Sequence, residues 1–186
     1  MTVGPLMAIA GHLALVPALD RPDLLADPVR LALAALPVDA AASCAVAPID
    51  PELADTAAFC EAYRSPLEAS ANCVVVAGSR SGERRIAASV VLATTHADVN
   101  GVVKRRLDVR KASFLPTDDA VAATGMEFGG ITPIGLPAGW PVLVDPAVLA
   151  APAVLVGSGL RASKVVLPGA VLGMLRGVEA CEGLGR

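Results

Sequence analysis

Residues 124–135 read Thr-Gly-Met-Glu-Phe-Gly-Gly-Ile-Thr-Pro-Ile-Gly, a run that neither a regular helix nor a central strand accommodates. Glycine weakens regular elements and reaches dihedrals closed to other residues; proline fixes φ and lacks a donor. The run therefore predicts a shaped loop, with Gly129 and Gly130 leaving backbone N–H groups open to a close ligand. A plain tight turn between a helix and a strand is the alternative.

Around this loop, helix and strand signals alternate without repeats or a linker. Asp20-Arg-Pro22-Asp23 opens a helix that runs through Leu24, Val29, Leu33 and Leu36 until Pro37 stops it, and 43–49 is a short strand. Asp50-Pro51-Glu52 combines an N-cap carboxylate, proline at N1 and acid in the first turn, so a helix starts there and ends at Arg64-Ser65-Pro66. The apolar, β-branched runs 71–77 and 85–94 flank Gly78-Ser-Arg-Ser-Gly82, the pattern of a hairpin. A helix over 98–109, a strand over 111–115 and a short helix from Thr117 to Gly125 lead into the glycine loop. Strands at 140–145, 154–159 and 163–168 and a helix over 168–176 follow. Hairpin-joined strands with irregularly placed helices indicate an α+β (mixed α/β) sheet rather than a doubly wound one.

Length and composition fit one domain, residues 1–186, with a real core. Apolar residues make up 54% of the chain and mean hydropathy is +0.61, which raises the question of a membrane. The longest nearly charge-free stretch, 2–19, contains Pro5, Gly11, His12 and Pro17 and falls short of the ~20 apolar residues of a spanning helix. It lacks a preceding Lys or Arg and a small-residue cleavage site, so a cytoplasmic protein without a signal peptide or membrane partner is expected. A net charge of −3 argues against a general nucleic-acid coat, which works by neutralising phosphates. It leaves room for a local basic patch at an RNA end. Lys104-Arg105-Arg106 with Arg110-Lys111 is the candidate, a solvated face its plainer reading. The cysteines Cys44, Cys60, Cys73 and Cys181 are widely spaced and only His12 and His96 supply imidazole, so neither a metal site nor a disulfide framework is expected.

The order Thr124-Gly125, Gly129-x-x-x-Pro133-x-Gly135, then Trp140-Pro-Val-Leu-Val-Asp145, Val154-Leu-Val-Gly-Ser-Gly159 and Ser163-Lys-Val-Val-Leu-Pro168 resembles the YbaK/ProX family. These are aminoacyl-tRNA editing proteins related to the insertion domain of bacterial prolyl-tRNA synthetase. The likeness covers roughly residues 70–180. It implies a twisted, largely antiparallel central sheet surrounded by helices. It also implies a loop, led by Gly129, that borders the site of the misattached amino acid.

Hydrolysis of an aminoacyl ester needs a carbonyl oxygen held as it becomes an oxyanion, and fixed backbone N–H groups do this well. Gly129 and Gly130 are the candidates, with Phe128, Ile131, Thr132 and Pro133 as substrate-binding neighbours. Asn72 departs from the family pattern. Editing-competent members usually carry a lysine at the start of the equivalent strand, where this chain reads Ser70-Ala71-Asn72-Cys73. The amide keeps hydrogen-bonding groups and loses the charge. Either it still orients an ester, or the ancestral activity is gone or redirected, or it merely satisfies a strand edge. Asp145 matches a family aspartate and also reads as an N-cap before Pro146. Gly157, Ser158 and Gly159 align with a small-residue turn near the site. No Gly-x-Ser-x-Gly elbow or partner histidine makes Ser158 a nucleophile. Gly157-Ser-Gly-Leu-Arg-Ala162 fits a dinucleotide pattern on paper, but a strand follows where a helix N-terminus is needed, so no cofactor is expected.

The resemblance implies a trans-acting deacylase that removes a small misattached amino acid from the tRNA acceptor end, and it makes an aminoacyl-tRNA synthetase a candidate partner. The alternative is a non-catalytic module of the same fold that binds an amino acid, an aminoacyl group or a protein.

Overall fold

A computed structural model describes residues 4–186. In chain order, α1 (Gly4–Ala10) and β1 (Val16–Pro17) precede α2 (Asp27–Ala34), α3 (Val38–Ala41) and β2 (Ala45–Pro48). Next come α4 (Thr56–Tyr63), β3 (Ala71–Arg80), β4 (Glu83–Leu92), α5 (Lys104–Arg106) and β5 (Ala112–Phe114). After α6 (Thr117–Thr124) follow β6 (Val142–Val144), α7 (Pro146–Ala150), β7 (Val154–Gly157), β8 (Ser163–Leu167), α8 (Gly169–Leu172) and β9 (Val178–Ala180).

The β3–β4 hairpin is the longest feature, its ten-residue strands paired from Ala71↔Leu92 to Arg80↔Glu83. Ser81 and Gly82 both take positive φ (52° and 85°), the two-residue turn whose twist matches paired strands. The hairpin anchors a five-stranded sheet in the order β5-β3-β4-β6-β9, with β6 and β9 parallel to their neighbours. A four-stranded antiparallel sheet, β1-β2-β8-β7, lies beside it, and an isolated bridge between Ser70 and Leu155 joins the two. The α+β class holds. The single central sheet resolves into two because β2 pairs with β8, more than a hundred residues away. The main core lies where the sheets and α2 meet, uniting Val46, Val156, Val165 and Leu167 with Ala88, Val90, Val144, Val29 and Leu33. Burying aliphatic side chains of this size stabilises the fold by roughly 1.5–3 kcal/mol each.

Four expected helices are shorter than their sequence signals; the last of them, expected over 168–176, is the single turn α8, after which the chain turns at Gly173. The 20–36 run divides into 3-10 turns at Ala18–Asp20 and Pro22–Leu24, then α2, because Leu25 and Ala26 are extended ahead of Pro28. Asp50 caps only a 3-10 turn, Pro51–Leu53; the helix proper starts at Thr56, where Asp55 accepts from the N–H groups of Ala57 and Ala58. Over 98–109, Asp98 accepts from Gly101 and Val102 and caps a π-turn, Val99–Val103, that leads into the single turn α5. Of the charge-free stretch, residues 2 and 3 lie outside the described residues, and α1 has seven residues. No helix among the described residues is long and apolar enough to cross a membrane.

Candidate functional site

A cavity of about 770 Å³ opens where the head of β3, the start of α4, the ends of β7 and β8 and the glycine loop converge. That size falls within the range of small-molecule clefts. Asn72, Phe128, Gly129, Ile131 and Gly157 all border it, so the glycine loop and the asparagine-led strand meet at one place.

The wall carrying Gly129 is built by backbone-to-backbone packing of two loops. Glu127 N donates to Gly159 O and Gly159 N to Gly130 O, each at 2.8 Å. Glu127 Oε2 also accepts from Arg161 N at 2.7 Å. Such close approach requires glycine: a Cβ on Gly157 would stand 2.4 Å from Gly130 O, and one on Gly130 2.6 Å from the Leu160 carbonyl carbon. Gly129 has φ +82°, a left-handed conformation that turns the chain along the cavity edge. Gly130 differs from expectation. Its N–H donates to Glu127 O at 3.0 Å, so it is not open to a ligand, and it lies behind the wall.

Other expected site residues also serve this wall or lie apart from the cavity. Ser158 is fully buried, and its Oγ shares a 2.7 Å hydrogen bond with Ser163 Oγ and accepts from Leu160 N. Gly159 packs against Ala26 and Val29. Thr132 is buried, with an Oγ1 that finds no partner among the described residues, and Pro133 follows it; neither lines the cavity. Asp145 caps α7 through Ala147 N and accepts from Gly185 N, also outside the lining. Its capping role is therefore the one visible. Lys104, Arg105, Arg106 and Lys111 lie off the cavity as well. Ala112, next to Lys111, pairs with Gly78, six residues along β3 from Asn72, or roughly 20 Å. Arg106 is ion-paired with Glu179.

Inside the cavity, Asn72 Oδ1 accepts from Thr56 Oγ1 at 2.8 Å, which leaves its two amide donors free of described partners. Lys164, on β8, also faces this space, with 9% of its surface exposed. Its Nζ donates to Ala54 O at 3.2 Å and stands 5.5 Å from the Phe59 ring centroid. Burial holds its pKa below the ordinary lysine value, while Cys60 and Asp55 pull it back up. Cys73 borders the cavity too, but burial pushes its thiol up to about 12, so it stays protonated near neutrality and is a poor nucleophile. At the mouth, Phe128 and Phe114 are 63% and 64% exposed, and the Arg161 guanidinium lies 5.5 Å over the Phe128 ring. Neither histidine lines the cavity, and the described residues contain no group of three or more His, Cys, Asp or Glu placed to hold a metal.

Lys164, Thr56, Arg161 and Phe114 were not singled out from the sequence. Lys164 did leave a signal there: the one charge in strand 163–167, beside Val-Val-Leu. The arrangement offers directional donors (Asn72 Nδ2, Lys164 Nζ), an apolar floor and an aromatic rim, without a side-chain nucleophile paired to a base. That suits holding an ester while water attacks it.

Comparisons with known proteins agree with this geometry. Among solved structures, a candidate trans-editing enzyme for prolyl-tRNA synthetase superposes with a TM-score of 0.67 at 17% identity, covering 84% of this chain and 96% of its own. A scaffold protein from computational epitope grafting gives the same TM-score at 20% identity, over 87% of this chain and 99% of its own. At such identities these likenesses concern the fold. A search of curated proteins finds no match. The model of the aminoacyl-tRNA editing domain matches residues 50–173, a span that contains every residue lining the cavity, from Ala54 to Lys164. With well over half of its length matched, the chain belongs to the aminoacyl-tRNA editing domain family.

Proposed function

We propose that this protein hydrolyses, in trans, the ester linking a small misattached amino acid to the terminal ribose of a tRNA. The observation that carries the reading is the cavity itself. It brings the left-handed Gly129 and the strand-leading Asn72 together inside the segment matched by the editing family. Its volume suits an aminoacyl group together with part of the terminal nucleoside.

In this reading the acyl group enters over Ile131 and the exposed rings of Phe128 and Phe114 take the terminal base, since unpaired RNA ends stack on aromatic and guanidinium planes. The N–H of Gly129 and the amide of Asn72 orient the ester. Water adds to the carbonyl carbon, the bond to the ribose oxygen breaks, and that oxygen takes a proton from the added water. The products are the free amino acid and an intact tRNA hydroxyl. Selection among acyl groups rests on size and apolarity, worth about 1–3 kcal/mol per methylene. The reaction belongs in the cytoplasm, with charged tRNA and its synthetases.

Asn72 favours a second reading, a module that binds an aminoacyl group without cleaving it, because a neutral amide stands at the head of β3. A panel of mischarged tRNAs separates the two. Amino-acid release that disappears in Gly129→Val and survives in a distant surface variant supports the hydrolase. Ligand binding without release on any member of the panel supports the module.

A further inference from the structure

We propose that Lys164 supplies the cation of this site and meets the carbonyl oxygen of the bound ester, so that strand β8 carries the charge that the head of β3 lacks. The proposal rests on the ester-hydrolase reading and adds to it the residue that faces the reacting oxygen.

Burying an ammonium is costly unless it is paired. Lys164 is nine-tenths buried, yet no carboxylate among the described residues approaches within ion-pairing distance. Its one hydrogen bond goes to the neutral carbonyl of Ala54, and the Phe59 ring lies beneath it. Two of its three N–H donors remain, and the open space beside them is the cavity. The charged and titratable groups around it are Asp55, which caps α4, Cys60 within α4, and Arg161 from the turn before β8. Asp55 is engaged in capping α4, and Arg161 stacks on Phe128 at the mouth. Asp55 borders the same cavity without reaching ion-pairing distance, so no anion is in contact with Nζ, and a polarised oxygen of a ligand completes its coordination.

The same segment of chain holds both Lys164 and Asn72. Lys164 bonds to Ala54, and Asn72 bonds to Thr56 two residues on. The Cα atoms of Ala54 and Thr56 lie at most about 7.6 Å apart, so a long cationic side chain from either strand serves one region of the cavity. As water adds to the ester carbon, the carbonyl π electrons move onto oxygen, and the Nζ–H groups of Lys164 hold the negative charge that forms. When the intermediate collapses, the ribose oxygen leaves with a proton from the added water and Lys164 keeps its own.

The test uses the full chain and a mischarged tRNA that the wild type hydrolyses. Lys164→Met and Lys164→Gln are expected to lose about 100-fold in kcat/KM, the effect of removing one oxyanion donor. Asn72→Lys placed on Lys164→Met is expected to recover at least a tenfold share of that loss. Activity within threefold of wild type in both single variants overturns the proposal and leaves the hydrolase reading standing. If the wild type cleaves no tRNA of the panel, the hydrolase reading fails. The Lys164 contact is then judged with an amide-linked aminoacyl-adenosine as probe. Affinity about tenfold weaker in Lys164→Gln upholds the contact to the carbonyl, and unchanged affinity overturns it.

Discussion

Thr56 Oγ1 donates a 2.8 Å hydrogen bond to Asn72 Oδ1, tying the first residue of α4 to the head of β3 across one side of the cavity. This fixes which end of the amide is spent on the protein and which is offered to a ligand. An isosteric Thr56→Val variant removes the donor and leaves a half-buried acceptor unpaired. It is expected to lose about 1 kcal/mol of stability, read from urea unfolding. Ligand affinity is expected to fall as well, because the amide is then free to rotate.

Gly129 and Gly157 are both glycines of the cavity wall, and they are expected to respond differently to alanine. At Gly129 a Cβ meets the far end of a flexible side chain, Arg161 Nη1 at 2.7 Å, and the positive φ adds about 1–2 kcal/mol of strain. Gly129→Ala therefore folds, with a modest fall in unfolding midpoint, and loses turnover as Arg161 is displaced from Phe128. At Gly157 the Cβ meets backbone, Gly130 O at 2.4 Å, so the two loops must separate. Gly157→Ala is expected to be the more destabilising, by roughly 1–3 kcal/mol, in parallel denaturation curves.

The contrast between these glycines and Lys164 marks how far the sequence could be read. The hairpin was legible because two β-branched runs flank Gly78-Ser-Arg-Ser-Gly82, both local signals, although pairing runs on to Arg80 and Glu83 and narrows the turn to Ser81-Gly82. The glycine loop was legible because few backbones tolerate that density of Gly and Pro. The division into two sheets was not, since β2 and β8 pair across more than a hundred residues and local patterning carries no record of it. Helix boundaries failed where a later cap prevailed, as when Asp55 rather than Asp50 started α4. Gly130, Ser158 and Gly159 were legible as special positions and not as wall components, because their partners lie in each other's loop. Lys164 was masked by its neighbours: within Ser-Lys-Val-Val-Leu it reads as a strand residue until the strand proves buried throughout.

The rim supplies a kinetic prediction. Phe114 and Phe128 are well exposed, so truncating either leaves the core intact. Phe128→Ala and Phe114→Ala are expected to raise KM for mischarged tRNA, each by an amount equivalent to about 1–3 kcal/mol of stacking, with kcat nearly unchanged. Steady-state kinetics on whole tRNA against a short aminoacyl-nucleoside ester checks it. The defect should shrink on the smaller substrate if the base is what the rings hold.

The basic residues near α5 differ in what they have free to offer. Arg106 is paired with Glu179, and Arg80 and Arg85 are paired with Asp108. Lys104, Arg105 and Lys111 are in none of the ion pairs observed among the described residues. If the RNA strand runs from the mouth along β5, Lys111→Ala should lower the slope of log affinity against log salt by about 1. Arg106→Ala should lower it less. Binding measured across a salt series distinguishes the two.

Lys164 also links function to stability, with a sign that can be worked out. Burial lowers its folded-state pKa below the unfolded value, so at pH values between the two the unfolded chain binds more protons than the folded one. Stability contributed by this group therefore rises with pH across that window, and below it the folded state carries the full cost of a buried charge. Lys164→Met removes the cost while keeping an unbranched side chain over Phe59. The variant is expected to be more stable than wild type at neutral pH, on the order of 1 kcal/mol, with the advantage narrowing as the pH approaches the ordinary lysine range. Urea unfolding of both proteins at several alkaline pH values reads this directly. A variant that gains stability while losing turnover identifies a charge kept in place for the ligand; one that loses stability at neutral pH shows that Ala54 and Phe59 compensate the ammonium unaided.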